Sequence, residues 1–197
     1  MTGRTVCLAM HYQNEVLHGQ GKIKVGVAEH DSRRQAIVAA AGTLLGGMRA
    51  RGVPVVSVRI AFRPDHRDVI QNCPIFRAVA ASGAMAEGSW GAEFHEGLGP
   101  LPDEFVVKHS RVNGFYGSTL EQVLHQLGAR RLVVAGIATN STVEHTVRHA
   151  SDMGFEVTVA QDACSAGDPR LHQASLDNMT LVAEISTVAQ ALAGVAP

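Results

Sequence analysis

A chain of 197 residues with 46% hydrophobic and 18% charged residues is long enough for one well-buried core and short for two. Its 17 basic residues against 18 acidic ones, a formal net charge of −1, exclude the phosphate-neutralising track of a nucleic-acid binder. No apolar stretch approaches the ~18 residues that span a bilayer and no leader-like start is present, so the expectation is a single cytoplasmic domain over residues 1–197. Cys7, Cys73 and Cys164 are an odd number without a CxxC pair, which points away from a disulfide framework and a cysteine zinc site.

Short β-branched runs alternate with longer amphipathic segments. Thr5 to Ala9 reads as a first buried strand. Asp31 or Ser32 is placed to cap a helix in which Ile37, Ala41, Leu44, Leu45 and Met48 share one face, and Gly52 ends it. Val53 to Val58 is a second strand. From Phe62 to Pro102 the pattern dissolves into Gly, Pro, Ser and polar residues around Trp90, which predicts a long functional loop region with one short helix. Phe105 to Val107 resumes a strand, and Leu120, Val123, Leu124 and Leu127 mark a helix stopped by Gly128. Arg131 to Gly136 is a fourth strand, Thr142 to Met153 a helix stopped by Gly154, and Phe155 to Ala160 a fifth strand. Asp168-Pro169 starts another helix, and a short strand near Ile185 precedes a last helix with Val188, Ala189 and Leu192.

Strands apolar on both faces that alternate with helices predict a three-layer αβα domain, a mostly parallel, Rossmann-like sheet of about six strands covered on both sides. In such folds the ligand crevice lies beyond the carboxyl ends of the strands. The residues there are His11, Lys108 and the segment Gly136 to Val143, which runs into a helix. A glycine-led turn into a helix N-terminus turns unpaired N–H groups and the positive dipole end toward the crevice, an arrangement suited to a developing oxyanion.

These motifs resemble the isochorismatase-like superfamily of cysteine hydrolases. The likeness runs over nearly the whole chain: Gln13-Asn14; Gly88-Ser89-Trp90-Gly91; Lys108 with Phe115-Tyr116-Gly117; Gly136 to Thr139 with Val143, Thr146 and Arg148; and Asp162-Ala163-Cys164. The resemblance implies an aspartate at position 11 and a nucleophilic cysteine at position 142. The chain has His11 and Thr142 instead, and its three cysteines stand elsewhere. The gap from Lys108 to Phe115 is also one residue longer than the family pattern. By motif match the oxyanion donors are the backbone N–H groups of Ala138 and Thr142, with a cis peptide bond between Ile137 and Ala138. The match also sets Gln13, Trp90, Phe115, Tyr116 and Asn140 beside a small-molecule substrate.

Three readings stay open. His11 acts as general acid or base on water or substrate, its pKa lowered by the ammonium of Lys108. Thr142 is itself the nucleophile, although a threonine before a helix ordinarily caps it. Or the chain is a catalytically inactive small-molecule binder on the same scaffold. A cysteine-independent hydrolase of a small amide, urea, lactam or vinyl ether is the expectation, with His11, Lys108 and Thr142 as catalytic residues. All three must then converge on one cavity; if His11 points into the core or Lys108 into solvent, this catalytic hypothesis fails.

The remaining residues have plainer readings. Trp90, Phe115 and Tyr116 taken singly are packing residues. Arg59, Arg63 and Arg67 are either contacts for an anionic substrate or surface charges, and Glu144 and Arg148 are an i, i+4 pair. Asp65 and His66 are adjacent in a proline-containing turn, without metal-ligand spacing. No metal, no cofactor, no nucleic acid and no membrane are expected, and the resemblance implies a homo-oligomer, dimer or tetramer.

Overall fold

In a computed structural model that describes residues 3–27 and 32–195, Arg4–Met10 forms the central strand β1, buried on both faces from Val6 onward. A one-turn helix α1 (Asn14–Leu17) follows, then α2 (Arg34–Ala50), β2 (Val55–Ile60), α3 (Pro74–Ser82), β3 (Phe105–His109), α4 (Leu120–Gln126) and β4 (Ala129–Gly136). The chain continues through α5 (Glu144–Asp152), β5 (Glu156–Ala160), α6 (Pro169–Met179), β6 (Glu184–Ser186) and α7 (Val188–Ala193). The strands form one sheet in the order β3-β2-β1-β4-β5-β6, every pairing parallel. No helix among the described residues is long and apolar enough to cross a membrane.

The apolar stripe read from the sequence is the face α2 buries: Ile37, Ala41, Leu44, Leu45 and Met48. Full burial of side chains such as Leu44, Leu45 and Met48 contributes ~1.5–3 kcal/mol each. Gly52 ends the helix in the left-handed region, its N–H donating to Arg49 O. The helix begins at Arg34, so Ser32 does not cap it, and Asp31 lies outside the described residues. Asp168 does cap α6, accepting from Arg170 N.

The stretch from Phe62 to Pro102 contains the one helix expected, α3. Pro74 opens it and Gly83 closes it at φ 63°, the usual asymmetry of helix ends. A single 3₁₀ turn, Trp90–Ala92, also falls there.

From β1 the chain moves outward to β2 and β3, then returns past β1 to add β4, β5 and β6 on the other side. Right-handed crossovers in these two directions place α2 on one face and α4 and α5 on the other. The order reverses between β1 and β4, and the strand ends diverge there to open a crevice. Gly136 lets the two ends approach: at φ 155° a Cβ would lie 2.1 Å from Met10 O. Ile137 N then donates to Met10 O, and His11 N to Val58 O.

Candidate active site

The switch point holds a small cavity of about 50 Å³, room for a few ordered waters or the reacting end of a small molecule. His11 from the end of β1 and Ile137, Ala138, Ser141 and Thr142 from beyond β4 form one side; Phe76, Val79 and Met85 wall the other, with Arg111 and Val112 from beyond β3. A wider groove of about 360 Å³ lies at the opposite end of the sheet, beside Arg131, Glu156 and Glu184. It gathers no buried polar side-chain atom left without a partner, whereas Thr142 of the small cavity supplies one.

His11 sits at φ 52°, a left-handed conformation uncommon outside glycine and characteristic of residues whose placement is fixed by their surroundings. Its ring is 6% exposed, and Nε2 meets Nε2 of His109 at 2.5 Å. Burial, and then the neighbouring imidazole, hold His11 well below the ordinary 6.5. Burial likewise brings His109 down to about 4, with the Asn113 backbone acting weakly the other way. Both rings are neutral at pH 7, so one donates and the other accepts. Nδ1 of His109 has no hydrogen bond of good geometry.

His109, and not Lys108, is the β3 residue that reaches His11. Side chains alternate across a strand: Val107 and His109 face inward, Val106 and Lys108 outward. Lys108 is 55% exposed and pairs with Glu87, which also binds Arg59. With Lys108 in solvent, the catalytic hypothesis that joined His11, Lys108 and Thr142 fails at the lysine, and the lowered His11 pKa comes from burial and His109 instead of an ammonium. The extra residue before Phe115 was the available signal, since a one-residue slip exchanges the face every side chain occupies.

Thr142 lies in a π-type turn, Thr139–Val143, broken at Ser141 (φ −136°, ψ −105°). Such wide turns recur at functional sites. Its side chain is 1% exposed, lines the cavity and caps nothing; among the described residues Oγ1 has no hydrogen-bond partner. The Ile137–Ala138 peptide bond is cis. The Ala138 N–H makes no backbone hydrogen bond among the described residues.

The other expected substrate contacts lie elsewhere. Gln13 is fully buried as a tie, Nε2 donating to Ile60 O and Ala92 O while Oε1 accepts from Ile60 N. Asn14 Nδ2 donates to Trp90 O. The Gln13-Asn14 and Gly88–Gly91 motifs thus hold each other. Gln13→Leu should cost about 3 kcal/mol, roughly 1 kcal/mol per buried bond, read as a lowered urea midpoint at unchanged slope; a loss below about 1 kcal/mol would refute the tie. Trp90 is half-exposed against the edge of His18, Phe115 stacks on His149, Tyr116 is exposed, and Asn140 belongs to a shallow surface groove on α5. None of these five lines the cavity.

None of the three cysteines lines it either. Burial raises the thiols of Cys7 and Cys164 to about 12, so both stay protonated. Arg63 and Arg67 pair with Asp65, His66 donates to Ala84 O, and Glu144 forms the expected bond with Arg148.

The isochorismatase domain matches residues 5–190. YecD of Escherichia coli O157:H7, an isochorismatase family protein, is 32% identical over 143 residues, 73% of this chain and 74% of that one. The ureidoacrylate amidohydrolase RutB of Variovorax paradoxus is 36% identical over 115 residues, 57% of this chain and 46% of the relative, so the match spans about half its length. Among solved structures, a cysteine hydrolase from Pseudomonas syringae pv. phaseolicola superposes with a TM-score of 0.86 at 22% identity, covering 98% of this chain and 92% of that one. An isochorismatase family protein from Desulfovibrio vulgaris gives 0.84 at 26% identity, with 94% and 95% covered. With a domain match over almost its full length and the same parallel sheet, this chain belongs to the isochorismatase family.

Proposed function

We propose that the chain hydrolyses a small amide or ureido compound without a cysteine nucleophile, His11 standing where the family has its aspartate and Thr142 where it has its thiol. The carrying observation is the buried His11–His109 ring contact at the switch point, in the cavity that also holds a Thr142 hydroxyl without a partner among the described residues. RutB, an amidohydrolase by name, supports this choice of bond among those the family cleaves.

With His11 Nε2–H donating to His109, the lone pair of His11 rests on Nδ1. A water gives that nitrogen a proton as its oxygen bonds to the substrate carbonyl carbon. The carbonyl π pair moves onto oxygen, where the Ala138 N–H receives it, the role an oxyanion hole requires. The tetrahedral adduct then expels its nitrogen, which takes the proton back from His11 as the C–N bond breaks. One water is consumed, and His109 acts as a positioning residue for the imidazole.

The orphaned hydroxyl favours a second reading, in which Thr142 Oγ1 attacks and water later cleaves the ester. Ammonia release from a panel of primary amides and ureido compounds, with chromatography of the ring-opened or cleaved products for lactams and vinyl ethers, tests the activity. Thr142→Val separates the routes: water attack predicts a loss of under about tenfold, whereas threonine attack predicts at least ~10²-fold. No turnover of any amide or ureido compound, with binding retained, would leave a binder.

A further inference from the structure

Among the described residues, Arg111 is the only formally charged one that lines the cavity. Its partners fix the plane of the guanidinium: one terminal nitrogen donates to Ile70 O at 3.1 Å, the other to Asn72 Oδ1 at 2.9 Å, and Cζ lies 4.0 Å above the Phe76 ring. These bonds use two of five N–H donors. No carboxylate pairs with it among the described residues, and no acidic side chain lines the cavity. The remaining lining is apolar apart from His11, Ser141 and Thr142. A cation held in plane in such a wall matches a carboxylate, which accepts two parallel N–H bonds.

We propose that Arg111 binds a carboxylate of the substrate, so that the molecule taken by this cavity is a small organic acid with the scissile group at its other end. This rests on the hydrolase reading for the word substrate, though not for the binding itself.

Two matched pairs of probes test it: succinamate against succinamide, and N-carbamoylglycine against N-carbamoylglycinamide. Binding is measured by calorimetry and turnover by ammonia release, on wild type, Arg111→Met and Arg111→Lys. Wild type should bind at least one acid about 10- to 100-fold more tightly than its neutral partner, the range for hydrogen bonds to charged groups. Arg111→Met should erase that preference and Arg111→Lys, which keeps the charge, should restore part of it. Equal binding of acid and amide by wild type, no binding of either acid, or a preference intact in Arg111→Met overturns the proposal. Ammonia release scores the hydrolase reading apart from it. An acid bound through Arg111 but never cleaved supports the anion site and removes hydrolysis; cleavage of the neutral probes alone, unchanged in Arg111→Met, does the reverse.

Discussion

His11→Asn should lower kcat/KM by about 10²- to 10⁴-fold, the range for a lost general base, while leaving the thermal midpoint close to that of wild type. Asparagine keeps a polar side chain near His109 but has no basic nitrogen to take the proton. His109→Gln, which leaves His11 in place, should cost less. The pH profile gives a separate reading. Because burial and His109 hold His11 well below 6.5, kcat/KM should stay level from neutrality through pH 6.5 and fall only further into acid. An acid limb centred at or above 6.5 would mean that the catalytic base is not this buried imidazole, and an active His11→Asn variant would remove His11 from the reaction altogether.

Between pH 6.5 and 4 the fold should lose stability that it holds in full at neutral pH. In the unfolded chain the two histidines take up protons near 6.5; in the folded protein His109 does so only near 4, and His11 is also shifted down. Across that window the unfolded state binds more protons, so unfolding becomes easier as pH falls. His109 alone accounts for about 2 kcal/mol at pH 5 and about 3 kcal/mol at pH 4, at 1.36 kcal/mol per pKa unit. His11 adds to this in the same direction. Carboxylates act in a lower window: burial raises Glu104, but its bonds to Arg49 and to the Leu101 N–H together hold it below the ordinary 4.5, so its contribution fades only in stronger acid. Urea midpoints at pH 7, 6 and 5 decide the matter. A flat series, or a decline unchanged in His109→Gln, would contradict a neutral buried pair.

The fold was legible because its signals are periodic. The burial stripe of α2, the apolar run Val6 to Met10 of β1 and the glycines after α2 and α4 each state one element. The crevice beyond the carboxyl ends of the strands followed from the alternation of strands and helices, and the choice of His11 and Thr142 within it from the family resemblance. What failed was local and stereochemical. Lys108 and His109 are neighbours on an edge strand, and composition does not say which of them faces inward; the spacing to Phe115 did, by a single residue. Gln13 looked like a substrate ligand because a glutamine beyond a strand end could equally bind substrate or satisfy backbone. Its three partners, Ile60 N, Ile60 O and Ala92 O, come from chain 47 and 79 residues away. Nothing in the sequence marks Arg111, because its importance lies in the absence of a carboxylate partner among the described residues, a fact about neighbours that only the assembled cavity exposes.

The cavity is assembled from two kinds of chain. Its reactive rim, His11 with Ala138 and Thr142, is fixed to the ends of the two strands that meet at the sheet's reversal, where register admits no insertion. The opposing wall, Phe76, Val79 and Met85, belongs to the excursion between β2 and β3, which Gln13 fastens at Ala92. Gln13 and Asn14 tie that excursion to the chain just beyond β1, so a change near residues 90–92 is felt next to His11. Chemistry and cavity shape thus rest on different stretches of chain: the reactive rim on the ends of β1 and β4, and the facing wall on the excursion after β2 together with Arg111 and Val112 beyond β3.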